Sequence, residues 1–136
     1  MEVIQAKSAG FCFGVDRAVK MAYELSEVET SSCMLGEVIH NTYVVDELAE
    51  RGMRVIQSPD QACAGDHVLL RAHGEGRQVY ESLQRCGAMI IDATCPKVTR
   101  VHRLVEEAYQ QGRQAIIIGE KNHPEVRGIA GWCANL

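Results

Sequence analysis

The sequence contains no apolar run near the roughly 18 residues that a membrane-spanning helix needs. Its first residues, Met1-Glu2-Val3-Ile4-Gln5-Ala6-Lys7, carry no signal-peptide pattern. A cytoplasmic protein with no membrane partner is the expectation. Positive charge is not in excess either: the net charge is -4 and the pI about 5.7. The long-range field therefore draws in neither nucleic acid nor an anionic membrane, and any anion must be held by local groups. The six cysteines, Cys12, Cys33, Cys63, Cys86, Cys95 and Cys133, include no C-x2-C pair, which excludes a zinc knuckle and a thioredoxin motif. Without a secretion signal, disulfides are not expected. There is no G-x-G-x-x-G and no G-x4-G-K-[ST], so no nicotinamide or nucleotide fingerprint is present. Electrons, where the chemistry needs them, must come from a protein donor.

What is present is the composition of an ordinary globular chain, 46% apolar and 24% charged. A length of 136 residues taken alone argues for one domain. Short β-branched runs at Val3 to Ala6, Cys33 to Leu35, Arg54 to Gln57, His67 to Arg71, Met89 to Asp92 and Ala115 to Ile118 predict strands. Helical periodicity predicts helices over Val15 to Glu27, Tyr43 to Arg51, Arg77 to Arg85 and Pro96 to Gln111. The last should carry Val98, Val101, Leu104, Val105 and Ala108 on one face. Gly52, Gly87 and Gly112 each follow a helix directly, as a left-handed C-terminal residue would. The alternation predicts an α/β fold with a largely parallel sheet, whose ligands bind beyond the carboxyl ends of the strands.

The most informative pattern is internal. A shift of 83 residues maps Cys12 to Cys95, Val15 to Val98, Arg17 to Arg100, Glu24 to Glu107, Gly36 to Gly119, Glu37 to Glu120 and His40 to His123. Those are seven identities over Cys12 to Asp46, against about two expected by chance from ordinary composition. The pattern predicts repeated α/β units, one over residues 1–83 and a second, incomplete one over 84–136. The expectation is a portion of a larger fold.

Cys12, in Gly10-Phe11-Cys12-Phe13-Gly14-Val15, and Cys95, in Asp92-Ala93-Thr94-Cys95-Pro96, both fall between a strand and a helix. Pro96 suits the first helical position, so Cys95 falls at the N-cap, where the positive helix end favours thiolate. Two thiolates so placed suit a soft metal or an iron-sulfur cluster. The plainer reading is two small buried residues. A cysteine phosphatase is a weaker rival, because the Cys-to-Arg spacing here is C-x4-R and not the C-x5-R of phosphate-loop phosphatases. Two cysteines cannot fill a cluster. A third copy of the unit would supply a third thiolate and leave one metal corner open to substrate. Cys33, Cys63, Cys86 and Cys133 lack the junction context and read as packing residues.

His40, His73 and His123 each follow a short apolar run and project near the carboxyl edge of the sheet. Imidazoles that donate hydrogen bonds and can carry charge would together hold a phosphate or diphosphate; singly, each would be a structural group. Gly74 and Gly76 flank Glu75 and allow close backbone approach. His67 and His102 read as ordinary strand and helix residues. Glu125, two residues beyond His123 and beside Pro124, reads either as a general acid in a desolvated pocket or as an exposed helix-start glutamate.

Gly10-Phe11-Cys12-Phe13-Gly14-Val15-Asp16-Arg17-Ala18, Glu37-Val38-Ile39-His40-Asn41-Thr42-Tyr43-Val44-Val45, Arg71-Ala72-His73-Gly74, Asp92-Ala93-Thr94-Cys95-Pro96-Lys97-Val98 and His123-Pro124-Glu125-Val126 together resemble the LytB/IspH family. The five motifs come in the family's order and cover about the N-terminal half of a family member. Members of that family are 4-hydroxy-3-methylbut-2-enyl diphosphate reductases. The resemblance implies three similar α/β units around a [4Fe-4S] cluster, with Cys12 and Cys95 as two of its three cysteine ligands and the third outside this chain. It implies that His40, His73 and His123 bind the substrate diphosphate and neighbouring groups, and that Glu125 is the proton donor. The implied reaction is a reductive dehydroxylation ending the non-mevalonate isoprenoid pathway. It yields isopentenyl and dimethylallyl diphosphates with electrons from a protein such as ferredoxin or flavodoxin. Glu75 departs from the pattern by placing a negative charge beside His73, where the family commonly has an apolar residue. The alternative from a different class is a non-catalytic diphosphate-binding module without redox activity.

Overall fold

Apolar residues recur here in two periods, and each builds one layer. In the strands alternate residues face opposite sides, and in the helices a stripe closes every three to four residues. The computed structural model describes residues 1–28 and 30–134, so Asn135 and Leu136, the last residues of the expected second unit, lie outside the described residues. In chain order it runs α1 (Phe13–Ser26), β1 (Ser32–Leu35), α2 (Thr42–Glu50), β2 (Arg54–Ile56), a 3-10 turn (Pro59–Gln61), β3 (His67–Leu70), α3 (Arg77–Cys86), β4 (Met89–Asp92), α4 (Pro96–Gln110) and α5 (Pro124–Ala130). The strands form one sheet in the order β2-β1-β3-β4, every neighbouring pair parallel. The α/β class and the parallel sheet are as the sequence predicts.

Both faces of the sheet are covered, as a parallel sheet requires. Met34 and Leu69 point to one side, where Ala18, Ala22 and Leu25 of α1 meet Val44 and Leu48 of α2. Cys33, Leu35, Val68 and Leu70 point to the other, under Leu83 of α3. The alanines of α1 let its backbone lie close on the sheet. Gly87 ends α3 in the left-handed conformation, φ 79°, and Gly52 and Gly112 also take positive φ.

Two of the six expected strands do not form. Val3 to Ala6 and Ala115 to Ile118 lie outside any ladder, and Ile116 and Ile118 are 83% and 96% exposed. β-branched composition alone does not make a strand, because the backbone N–H and C=O groups need a neighbouring strand to bond. On α4, likewise, Val101 and Leu104 of the expected apolar face are exposed, and the helix's one fully buried residue is His102. Val98, Val105 and Ala108 of the same face are half-buried, so among the described residues that face is only partly covered. Cys63, expected to pack, is exposed as well, because it lies in the loop before β3. Helix α5 is not among the helices that periodicity predicts, although one reading of Glu125 puts it at a helix start; Pro124 occupies its first position and His123 caps it.

Candidate active site

The loops that leave β1, β3 and β4 lie side by side at the carboxyl end of the sheet. They are tied in sequence: the Ala72 amide donates to the Val38 carbonyl at 3.5 Å, and the Cys95 amide donates to the Ala72 carbonyl at 3.0 Å. The three crossings thus carry His40, His73 and Cys95 to one edge. Beyond β1, Val38 and Ile39 are buried and His40 turns outward. Asn41 then starts α2 by accepting the Val44 amide on its side chain at 3.4 Å. Beyond β3, a tight turn closes with the Gly74 amide on the Arg71 carbonyl at 3.0 Å.

Three imidazoles meet there. Ring centroids are 4.8 Å apart for His40 and His73, 5.7 Å for His73 and His123, and 6.4 Å for His40 and His123. His123 arrives from α5, and its Nδ1 accepts the Glu125 amide at 3.2 Å, which leaves Nε2 as the donor nitrogen. The same bond seats half-buried Glu125 in the first turn of α5 beside the cluster. His73 is the most confined of the three. Burial lowers its pKa to about 4, helped by the positive charge of His40, Arg71 and His123. Its buried Nδ1 has no protein partner.

The two junction cysteines are both N-caps, Cys12 of α1 and Cys95 of α4, and neither side chain caps its helix by a hydrogen bond. Cys95 lies against the first turn of α1, the helix that Cys12 caps, because α1 is pinned over the end of β4. Arg17 donates to the Thr94 carbonyl at 3.2 Å and to the Asp92 carbonyl at 3.4 Å. Gly14 allows the approach: a Cβ there would sit 2.5 Å from the Cys95 Sγ. Both thiols are free, Cys12 exposed and Cys95 half-buried. Among the described residues, no group of three or more His, Cys, Asp and Glu side chains is arranged to hold a metal ion. Cys12 and Cys95 are the two sulfur donors at the strand-to-helix junctions. A cleft of about 270 Å³ lies between the start of α1 and the loops that follow β1 and β3, lined by Phe11, Val15, Ile39, His40 and His73. A roomier one of about 610 Å³ lies between residues 114–121 and α5, with apolar walls and no titrating histidine or cysteine.

Glu75 does not place its charge against His73. Its buried carboxylate accepts Arg71 Nε at 2.7 Å, and its carbonyl accepts Trp132 Nε1 at 2.9 Å. The remaining cysteines are apart from the site. Cys33 is fully buried and its thiol is pushed up to about 11 by burial, and Cys86 donates to the Leu83 carbonyl at 3.1 Å.

The family model for LytB protein matches residues 3–136. The chain belongs to the LytB family. A 4-hydroxy-3-methylbut-2-enyl diphosphate reductase of Caldanaerobacter subterraneus subsp. tengcongensis is 47% identical over 98% of this LytB chain and 48% of its own length. The reductase of the same name from Clostridioides difficile is 38% identical over 99% of this chain and 49% of its own. Among solved structures, the reductase from Plasmodium falciparum superposes with a TM-score of 0.88 at 31% identity, over 93% of this chain and 40% of that one. A second reductase structure, of the terminal enzyme of the non-mevalonate pathway, gives 0.80 at 42% identity, over 96% and 46%. This LytB chain spans about half the length of the curated relatives it matches.

The sequence assigns no role to Arg17, Gly14 and Trp132, and His102 reads there as an ordinary helix residue. Arg17 carried a signal, since it repeats as Arg100 at the shift of 83. His102 and Trp132 carried none, because their partners come from loops distant in sequence.

Proposed function

We propose that this chain is the N-terminal portion of a cytoplasmic 4-hydroxy-3-methylbut-2-enyl diphosphate reductase, converting its substrate to isopentenyl and dimethylallyl diphosphates by reductive dehydroxylation. The observation that carries the proposal is the cluster of three imidazoles, with centroids 4.8 to 6.4 Å apart, in a chain whose relatives bear that name. In an acidic protein such a cluster is what a diphosphate needs, because the overall field supplies no attraction.

The chain's own residues divide the work. His40, His73 and His123 bind the diphosphate. The bound anion stabilises the charged form of each imidazole, and His123 directs its Nε2–H because Nδ1 is taken by the Glu125 amide. Glu125, held through that same bond, stores the proton that a departing hydroxyl requires. The donor set of two free N-cap thiols fits two corners of a [4Fe-4S] cluster, held by Cys12 and Cys95 with the further cysteine outside this chain. When bound, such a cluster supplies one-electron transfer and Lewis acidity. The electrons come from a protein donor such as ferredoxin or flavodoxin. In this reading residues 84–136 form an incomplete second copy of the 1–83 unit. It is supported by α4 and α5, which follow the order of α1 and α2 with a cysteine capping the first helix of each pair.

Anaerobic reconstitution of the full-length parent, followed by optical and EPR spectroscopy, tests the assignment. A [4Fe-4S] signature is expected that disappears in Cys12→Ser and Cys95→Ser. A parent that takes up no iron, or keeps its cluster with both residues changed, sinks it; tight diphosphate binding by such an iron-free parent would establish the non-catalytic module instead.

A further inference from the structure

We infer that Trp132 and His102 form a clamp that presses the His73 loop against α5 and so sets the spacing of the histidine cluster. Both are positioning residues, and the inference rests on the reading that the cluster holds a diphosphate. The cluster has a mechanical difficulty. His40 and His73 ride on loops tied directly to the sheet, whereas His123 and Glu125 ride on a seven-residue helix that no ladder joins to it. Something else must fix the distance between them.

The contacts that do so converge on residues 74–76. The Trp132 indole N–H donates to the Glu75 carbonyl at 2.9 Å, across 57 residues of sequence. Gly128 of α5 lies against the Gly74 carbonyl so closely that a Cβ there would be 2.8 Å from the oxygen. The Arg77 amide donates to the Gly131 carbonyl at 3.4 Å. From the other side the loop rests on His102: a Cβ on Gly74, itself at φ 74°, would fall 2.5 Å from His102 Cε1. The clamp closes because the His102 ring, 3% exposed, stacks on the Trp132 indole at 5.4 Å and 23°. Tyr80 packs edge-on to the indole at 5.8 Å, and the Arg77 guanidinium lies 5.3 Å from its centre. Burial lowers the His102 pKa against the opposing pull of Asp92, so the stacked ring is neutral at neutral pH. Residues 74–76 are thus gripped by α5, the indole and the imidazole, and the 5.7 Å between His73 and His123 follows from that grip.

Trp132 is the chain's one tryptophan, so its fluorescence reports on the clamp directly. The experiment is a calorimetric and fluorescence titration of the 136-residue chain with inorganic diphosphate, alongside amide hydrogen exchange. Trp132→Ala is expected to bind diphosphate about tenfold more weakly, the loss of roughly one charge-assisted contact. Exchange should quicken together in residues 73–76 and in α5. Trp132→Phe, which keeps a ring for stacking but not the N–H, should recover part of the affinity. Equal affinity in wild type and Trp132→Ala overturns the clamp. Failure of this chain and of its full-length parent alike to bind overturns the diphosphate reading, and hydrogen exchange then decides the clamp alone: unchanged exchange in Trp132→Ala rejects it. If the alanine variant does not fold, Trp132→Phe carries the same comparison, and wild-type affinity with wild-type exchange in that variant rejects the clamp.

Discussion

Burial holds the His73 imidazole at a pKa of about 4, against an ordinary 6.5, and the charges of His40, Arg71 and His123 push it the same way. An unfolded chain takes up a proton at this residue below about pH 6.5 and the folded chain does not until about pH 4. Its contribution to stability is therefore full above the unfolded value and is lost as pH falls through that window. Urea midpoints at pH 7.5 and 5.0 should show a drop that shrinks in His73→Asn; an equal drop in both proteins would remove His73 as the cause. A polyanion in the cluster favours the protonated ring, so inorganic diphosphate should bind more tightly at pH 5.5 than at pH 8, with proton uptake measurable by calorimetry in buffers of different ionisation enthalpy. Affinity independent of pH would contradict this. The cysteines divide on the same principle. Cys33, buried with its thiol near 11, should resist a thiol reagent in the native chain, while exposed Cys12 reacts at once.

At the scale of elements, α2 and α5 show how a histidine can be aimed by the helix that follows or carries it. Asn41 caps α2 directly after His40, and Asn41→Ala should cost about 1 kcal/mol in chemical denaturation, with the larger effect falling on diphosphate affinity because His40 loses its anchor. For α5 the critical point is Gly128, whose missing side chain lets the helix sit on the Gly74 carbonyl. Gly128→Val should cost roughly 1 to 3 kcal/mol of overpacking and weaken diphosphate binding; a variant with wild-type stability and affinity would show that α5 does not need that approach. Helices α1 to α4 were legible from their own periodicity, and α2 to α4 also from the glycines that follow them. Helix α5 was not, because seven residues with Pro at the start and Gly128 inside carry too little pattern. The motifs around His40, His73, Cys95 and His123 gave their place at the strand ends. Their mutual distances are set by loop-to-loop bonds such as Cys95 to Ala72, which link residues far apart in sequence and leave no periodic trace.

On the scale of the whole molecule, the strands that formed and those that did not separate on one physical ground. Cys33 to Leu35 and His67 to Leu70 have neighbours on both sides in the sheet and helices over both faces. Ala115 to Ile118 is more β-branched than either, but among the described residues no strand lies beside it. The shift of 83 residues pairs two cysteines that each cap a helix, Cys12 at α1 and Cys95 at α4, yet the segment after α4 expected to pair as a strand remains open among the described residues. Their apolar side chains face water: Ile116, Ile118 and Leu104 are 83%, 96% and 54% exposed, next to the apolar cleft against α5. An exposed apolar surface of that kind binds dyes and drives association. The 136-residue chain should therefore bind a hydrophobic fluorescent dye while folded and sediment as a concentration-dependent mixture. Ile116→Asp combined with Ile118→Asp should lower dye binding and shift the distribution toward monomer without moving the urea midpoint, since neither side chain packs in the core. Association that persists in the double variant would place the sticky surface elsewhere, on the Val101 and Leu104 face of α4, where Leu104→Glu would then be the variant that disperses it.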